Sequence, residues 1–391
     1  MSKIEREPML DFSNVLIRPK RSTLSSRASV NLDRTFKFKH AKQYTPPLVT
    51  SSEDINDYSR SDRCAPLQVN KLKLEAGEVS TVNRKWTGVP IVAANMDTTG
   101  TFEVYAVLRK YNMITSMNKF YDPEDFVNAH RDIGLDPNLF MVSSGISGAD
   151  FDKLNAILDV IDCNWICIDI ANGYIKQFVD YCKKVRLKYP SKIIVAGNVA
   201  TREMVEELII NGGVDIVKVG IGPGSACTTR LKTGVGIPQL SAILECSDAA
   251  HGAGGCIIAD GGITCPGDMA KAFGAGADFV MMGGQFAGHD QNPGEVIEES
   301  VNGNLKKFKL FYGMSSKHAM EKHYGQMNKY RASEGRKLKI PYKGDLNNTI
   351  SDYLGGLRST CTYIGAESIK HISKCTTFVL VNQQVNTHFI N

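Results

Sequence analysis

Residues 215–230 read DIVKVGIGPGSACTTR, and the way this stretch divides decides the fold. Its first part, DIVKVG (Asp215 to Gly220), is an apolar run of strand length. The rest is a loop of glycine, proline and serine that carries one cysteine, Cys227. A nearly continuous apolar run bounded by turn residues suits a parallel strand buried on both faces. Cysteine is usually buried, so a cysteine held on a small, sharply turning loop points to a nucleophile. Two residues on, the hydroxyl of Thr229 is placed to handle a proton beside it.

The same unit recurs along the chain. Strand-like runs read PIVAANMD (90–97), NMITSMNK (112–119), NLFMVSSG (138–145) and WICIDIAN (165–172). They continue as KIIVAGNV (192–199), DIVKVGIG (215–222), CIIADGGI (256–263) and DFVMMGG (278–284). Amphipathic stretches such as FDKLNAILDVI, IKQFVDYCKKVRLKY and TREMVEELIINGG separate them. Eight β–α units predict an α/β protein, a single (β/α)8 barrel domain over 1–391, with an open doubly wound sheet as the structural alternative. The last helix is expected in DLNNTISDYLGGLRSTCTYIG (345–365). The preceding segment, about 285–344, is too long for an ordinary connection and reads as an active-site flap after strand eight, with FKLFYGM (308–314) as a strand of it. Residues 42–87 are polar, lack clear periodicity and read as a surface insertion before the first barrel strand.

Composition narrows the class. The 391 residues are 42% hydrophobic and 22% charged, ample for a packed core. The net charge of +5 is too small to argue for nucleic acid and suits an enzyme that handles anionic ligands. Ten cysteines are scattered without a CxxC pair or zinc-ligand spacing, which predicts a reduced cytosolic protein. The N-terminus MSKIEREPML has no apolar signal core, and no apolar run approaches the roughly 20 residues that span a bilayer.

In a barrel of this kind the chemistry sits at the C-terminal ends of the strands. Ending there are Asn95-Met96-Asp97, Asp169 to Gly173, the Cys227 loop, Asp260-Gly261-Gly262 and Gly283-Gly284. Glycine pairs after strands seven and eight let backbone N–H groups approach a phosphate; tight helix packing is the alternative reading of either pair alone. Asp260 is suited to two ribose hydroxyls, so the set suggests a phosphorylated ribosyl ligand. Successive N–H groups around Cys227 favour a thiolate, and the loop carbonyls could hold a monovalent cation.

These residues resemble a known family. GIGPGSACTTRLKTGVGIPQLSAI (220–243), IADGGITCPGDMAKAFGAGADFVMMGG (258–284), LFYGMSS (310–316), YRASEG (330–335), LGGLRSTCTYIGA (354–366) and DFSNVLIRPKRSTLSSR (11–27) are similar to GMP reductases. The resemblance covers nearly the whole chain except about 42–87. IMP dehydrogenases share the barrel and the cysteine loop. However, they tend to place Ile directly after the cysteine, use an Arg-Tyr pair where this chain has Glu334, and often insert a paired regulatory domain that this chain lacks room for.

The resemblance implies an NADPH-dependent reductive deamination of GMP to IMP. Cys227 would attack purine C2, Thr229 and Glu334 would protonate the departing amine, and a thioimidate would remain on Cys227. Around GMP it implies Ser225, Asp260, Gly261, Gly262, Gly283, Gly284, Gly313, Met314, Ser315, Arg331, Ala332, Ser333 and Gly335. Around NADPH it implies Lys119, Asp169, Ile170, Ala171, Ile221, Gly222, Gly313, Met314, Tyr330, Arg331, Ser359, Thr360, Cys361 and Thr362, with Ser26 and Arg27 from a neighbouring subunit of a homotetramer. A potassium ion would take the carbonyls of Gly222, Gly224, Cys227 and Arg230. The chain departs from the family pattern at Asn118 and Phe120, where histidines flank the lysine, and at Lys329, where an acidic residue is common. The alternatives are an IMP dehydrogenase and a catalytically silent purine-nucleotide-binding homologue.

Overall fold

Each of the eight apolar runs becomes a strand. In the computed structural model, which describes residues 4–44, 79–325 and 333–382, β1 (Val15–Ile17), β2 (Arg34–Tyr44) and β3 (Val79–Gly88) come first. They precede β4 (Ile91–Ala93), β5 (Ile114–Ser116), β6 (Phe140–Ser144), β7 (Trp165–Asp169), β8 (Ile193–Val199), β9 (Ile216–Val219), β10 (Cys256–Asp260) and β11 (Phe279–Met282). β4 to β11 pair in parallel, and β11 returns to β4 through Val280↔Ile91 and Met282↔Ala93. The sheet is a closed barrel, so the open-sheet alternative, which would leave two edges, falls. Every residue of β4, β5, β6, β9 and β11 is buried, which is why these strands read as unbroken apolar runs instead of alternating ones.

Helices follow the strands: α1 (Phe102–Leu108), α2 (Pro123–Ile133), α3 (Gly148–Val160), α4 (Lys176–Lys188) and α5 (Arg202–Ile210). After β9 come the short α6 (Thr229–Thr233) and then α7 (Gln239–Ala253), and after β10 comes α8 (Pro266–Gly274). Local chemistry sets their starts. The Ser147 hydroxyl accepts from Asp150 N while Asp150 accepts from Ser147 N, a closed capping box at the head of α3. Pro123 at the first turn of α2 costs no hydrogen bond.

The barrel floor is sealed by the β2–β3 ribbon. Phe36, Phe38 and Trp86 pack against Trp165 and Phe279, with Phe36 and Phe279 centroids 4.4 Å apart and Trp86 edge-on to Trp165 at 5.5 Å. Both indole N–H groups donate to Asn138 O, at 2.9 and 3.0 Å. β3 therefore occupies the end of the stretch 42–87 that reads as aperiodic. Among its described side chains only Trp86 is buried, flanked by exposed Lys85 and Thr87, so over 82–87 the period-two signal rests on a single residue. The part of that stretch from 45 to 78 lies outside the described residues. Two buried carboxylates tie the floor together. Asp215 accepts from Arg186 (2.5 Å), Ile194 N, His40 N and Ala41 N; Asp278 accepts from Arg34, Ile257 N and His251.

After β11 the chain leaves the barrel and builds an antiparallel sheet, β12 (Ile297–Val301), β13 (Asn304–Tyr312) and β14 (Lys337–Pro341), with α9 (Lys317–Tyr324) between the last two. Its hairpin turns at Asn302 and Gly303, both with positive φ, the conformation a two-residue hairpin needs. FKLFYGM thus does contain strand, as part of β13. α10 (Leu346–Ile364) then closes the barrel wall, α11 (Ile372–Cys375) follows, and β15 (Phe378–Leu380) pairs with β1.

Candidate active site

The C-terminal ends of the barrel strands enclose a cavity of about 340 Å³. The cysteine loop forms one wall. Gly222, at φ 86°, packs so closely on Arg230 that a Cβ there would sit 2.6 Å from Arg230 Cγ. Only glycine brings the two ends of the loop together in this way. Cys227 N donates to Gly224 O at 3.0 Å, which turns the thiol into the cavity wall.

Cys227 is half-buried, unlike most of its kind in the chain. Burial pushes the Cys163 thiol up to about 12, Cys167 to about 11, Cys246 to about 12 and Cys361 to about 11, which leaves these thiols protonated and inert. Cys227 Sγ lies 3.2 Å from Thr229 Oγ1, and Thr229 Oγ1 donates to Glu334 Oε2 at 2.8 Å. Thr229 has one hydroxyl hydrogen. Because Glu334 takes it, the thiol is the donor to Thr229, and the three groups form a line running from sulfur to carboxylate.

Backbone pairing positions Glu334 from the excursion. Thr228 N donates to Glu334 O (2.8 Å) and Arg336 N to Ala226 O (2.9 Å), while Cys227 and Gly335 form an antiparallel bridge. The Arg336 guanidinium also donates twice to Ser225 O. A second anchor lies at the end of β4. There the buried Asp97 carboxylate accepts from Tyr312 Oη (2.7 Å), Lys322 Nζ (2.9 Å) and His323 Nε2 (2.7 Å). Burial alone would raise Asp97, but the bonds from His323, Tyr312 and Lys322 outweigh it and hold the carboxyl below its ordinary value. The His323 ring stacks flat on Phe120, centroids 3.5 Å apart.

At the opposite end, Gly284 approaches Ser225 so closely that a Cβ would lie 2.9 Å from the Ser225 hydroxyl. Lys343 braces this turn from behind, donating to Gly284 O and Gln285 O, and burial lowers its ammonium to about 8. Asp260 accepts from Asn198 Nδ2 at 2.9 Å, and its Oδ2 lies 3.4 Å from Lys218 Nζ. Lys218 Nζ lies 2.5 Å from Asp169 Oδ1. Burial disfavours the Lys218 ammonium, yet Asp169 and Asp260 more than compensate and push it up.

Of the residues singled out in the sequence, one cavity gathers Asp169, Ile170, Ala171, Ile221, Gly222, Gly224, Ser225, Cys227, Thr229, Asp260, Gly261, Gly262, Gly283, Gly284, Gly313, Met314, Ser315, Glu334 and Gly335. Ser333 stands just behind it, its carbonyl accepting from Thr228 Oγ1 and its hydroxyl from Lys317 N. The Arg230 side chain turns away to Asp11 and Ile237 O. Ser26 caps a short turn outside the cavity next to Arg27, and both are exposed. On α10 the hydroxyls of Ser359, Thr360 and Thr362 turn back onto helix carbonyls, and Cys361 is fully buried. Asn118 braces the backbone, bonding Gly100 O and Phe120 N, and Lys119 lies near enough to help lower Asp169. Tyr330, Arg331 and Ala332, with Lys329, lie outside the described residues. The sequence reading passed over Asn198 and Lys218. Their signal was faint: one lysine inside the buried run DIVKVG and one asparagine in KIIVAGNV.

A thiol, a hydroxyl and a carboxylate stand in line at the mouth of a parallel barrel with glycine turns beside them, an arrangement able to carry nucleophilic chemistry. The chain belongs to the IMP dehydrogenase/GMP reductase family, whose IMP dehydrogenase / GMP reductase domain matches residues 75–387. It is 50% identical over 392 residues to a GMP reductase of Caenorhabditis elegans, covering 100% of this chain and 97% of that protein. It is 49% identical over 393 residues to GMP reductase 1 of Homo sapiens, covering 100% of both, and 50% identical over 393 residues to a GMP reductase of Phytophthora infestans, covering 100% of this chain and 95% of that protein.

Proposed function

We propose that this protein is a GMP reductase that converts GMP and NADPH to IMP, NADP+ and ammonia. The observation that carries the reading is the line Cys227–Thr229–Glu334. As Cys227 Sγ bonds to purine C2, its proton passes to Thr229 and on to Glu334, so forming the thiolate also loads the acid. An exocyclic amine leaves only when protonated, and Glu334 with Thr229 returns that proton to the 2-amino group. Ammonia departs, and the purine stays on Cys227 as a thioimidate. NADPH, when bound, supplies the hydride that C2 receives. Cys227 then leaves as thiolate, since a thiolate is both a good nucleophile and an adequate leaving group.

Asp260 would accept from the ribose hydroxyls, while Ser225 and the turns at Gly261–Gly262 and Gly283–Gly284 would take the phosphate. The base would lie against Gly313, Met314, Ser315 and Gly335, joined by Arg331, Ala332 and Ser333. The reacting end of NADPH would enter the same cavity, where Asp169, Ile170, Ala171, Ile221 and Gly222 share the wall with Cys227. Lys119, Tyr330, Arg331 and the Ser359–Thr362 turn would extend that site, as would Ser26 and Arg27 of a neighbouring copy in a homotetramer. A potassium ion suits the loop carbonyls of Gly222, Gly224, Cys227 and Arg230, which are neutral hard oxygens. Gly224 O and Arg230 O each accept one backbone hydrogen bond and keep a second lone pair. None of the nine described cysteines is bonded to another, which supports a cytosolic location.

The test is to mix the protein with GMP and NADPH and follow NADPH absorbance together with ammonia. Loss of NADPH with stoichiometric ammonia supports the reading. Absence of turnover, with NAD-dependent oxidation of IMP instead, replaces it with the dehydrogenase. GMP binding without either reaction leaves a silent homologue.

A further inference from the structure

Lys218 is the one charged residue within β9, and it is 1% exposed. A buried ammonium is costly unless paired, and polar groups from three other strands converge around this one. Asp169 at the end of β7 lies 2.5 Å from its Nζ, and Asp260 at the end of β10 lies 3.4 Å away. Asn198 of β8 donates to the same Asp260 oxygen, Oδ2. The Cys167 thiol beside the ammonium is held protonated by burial, and Lys119, three residues beyond β5, adds a second and weaker positive charge on the Asp169 side. Asp169, Asn198, Lys218 and Asp260 all line the cavity, and the buried Asn198 Oδ1 has no partner among the described residues.

We propose that Lys218 is a positioning residue that couples the two halves of the site, holding the ribose-side carboxylate of Asp260 and the cofactor-side carboxylate of Asp169 ionised and fixed relative to each other. This rests on the GMP reductase reading. Both carboxylates must act as acceptors, and Lys218 is the ammonium paired with both; without it the two share one wall and the one on the ribose side, away from Lys119, takes up a proton more readily. Removing the ammonium would therefore put a proton, and hence a donor, where the ribose hydroxyls need an acceptor. The charge of Lys218 thus acts on the nucleotide through Asp260 and on the dinucleotide through Asp169, without touching either.

The experiment measures calorimetric binding of GMP and of 2′-deoxy-GMP, without NADPH, across neutral and mildly acidic pH. Wild type is expected to prefer GMP by about tenfold or more, the worth of a hydrogen bond to a charged group, with little pH dependence. K218M is expected to lose that preference and to gain an ionisation between about pH 5 and 8. In K218M/D169N the second carboxylate is gone, so Asp260 stays ionised and the preference for GMP returns. A folded K218M that keeps both the preference and the flat profile overturns the proposal. So does a folded double variant no better than the single one, and so does failure of both to fold, which would make the lysine purely structural. Wild-type turnover of GMP with NADPH is run alongside. Its absence removes the reductase reading itself, whereas its presence with unchanged K218M binding removes only the role of Lys218.

Discussion

The hydroxyl of Thr229 donates to the carboxylate of Glu334 at 2.8 Å across 105 residues of sequence. The contact is made by two separately folded pieces, the loop after β9 and the excursion after β11, which are held together by main-chain bonds on either side of Cys227. The carboxylate proposed to release the amine is therefore positioned by backbone geometry on either side of the cysteine loop. Cys227→Ala is expected to lower turnover by about ten-thousandfold while leaving GMP binding intact. Glu334→Gln is expected to slow ammonia release by about a hundredfold or more, with hydride transfer less affected. Stopped-flow comparison of ammonia release with NADPH oxidation separates the steps, and equal losses in both would argue against Glu334 as the proton donor.

Asp97 ties the other side of the excursion to β4, through Tyr312, Lys322 and His323. Asp97→Asn keeps the shape and removes the charge that gathers three donors. Because small misplacements of a catalytic group are costly, turnover is expected to fall by about tenfold. The acid limb of stability should change too. The folded carboxyl is held below its unfolded value, so its contribution is complete above about pH 4, the unfolded value, and is lost as pH falls through the lower folded value. Thermal melts down through the acid range should show a steep wild-type decline that is shallower in the variant. Parallel declines would remove Asp97 from this account.

The barrel was legible because burial on both faces writes itself into composition: β9 and β11 contain no solvent-facing position to interrupt the run. Cys227 and Thr229 were legible for a different reason, being two residues apart on one loop. Lys218 was not, since a lysine in a strand looks like an interruption until Asp169 is brought to it from 49 residues away. Asp97 was read as a residue at a strand end, but not as an anchor, since its three partners stand 215 to 226 residues on. Glu334 was reached only through resemblance, because nothing local in YRASEG says that it will pair with the cysteine loop.

The barrel floor predicts a loss of stability that spares the site. Asp215 is fully buried and accepts from Arg186 and three backbone N–H groups, those of Ile194, His40 and Ala41. Asp215→Ala would leave the Arg186 guanidinium and those donors without their acceptor, a change that costs about 3–5 kcal/mol for a buried pair. Denaturant unfolding should register the loss, while GMP affinity of the folded fraction stays at the wild-type level. A fall in that affinity would mean that the floor and the mouth of the barrel are coupled.

His289 should shape the stability profile at mildly acid pH. The residue is fully buried at the root of the excursion, with Nε2 paired to Thr349 Oγ1 at 2.7 Å and Nδ1 without a partner among the described residues. Burial, with the nearby Lys343 charge, lowers its pKa to about 4. In the unfolded chain the same imidazole takes its proton near pH 6.5. Between those values the unfolded state binds more protons, so stability is full above about 6.5 and drains away as pH falls toward 4. His289→Gln, which can still bond Thr349 but cannot titrate, should flatten the curve across that window and leave the melting temperature at neutral pH the less affected quantity. Melts of both proteins at closely spaced pH values decide it. A variant that loses stability over the same window as steeply as wild type would assign the acid sensitivity to another group.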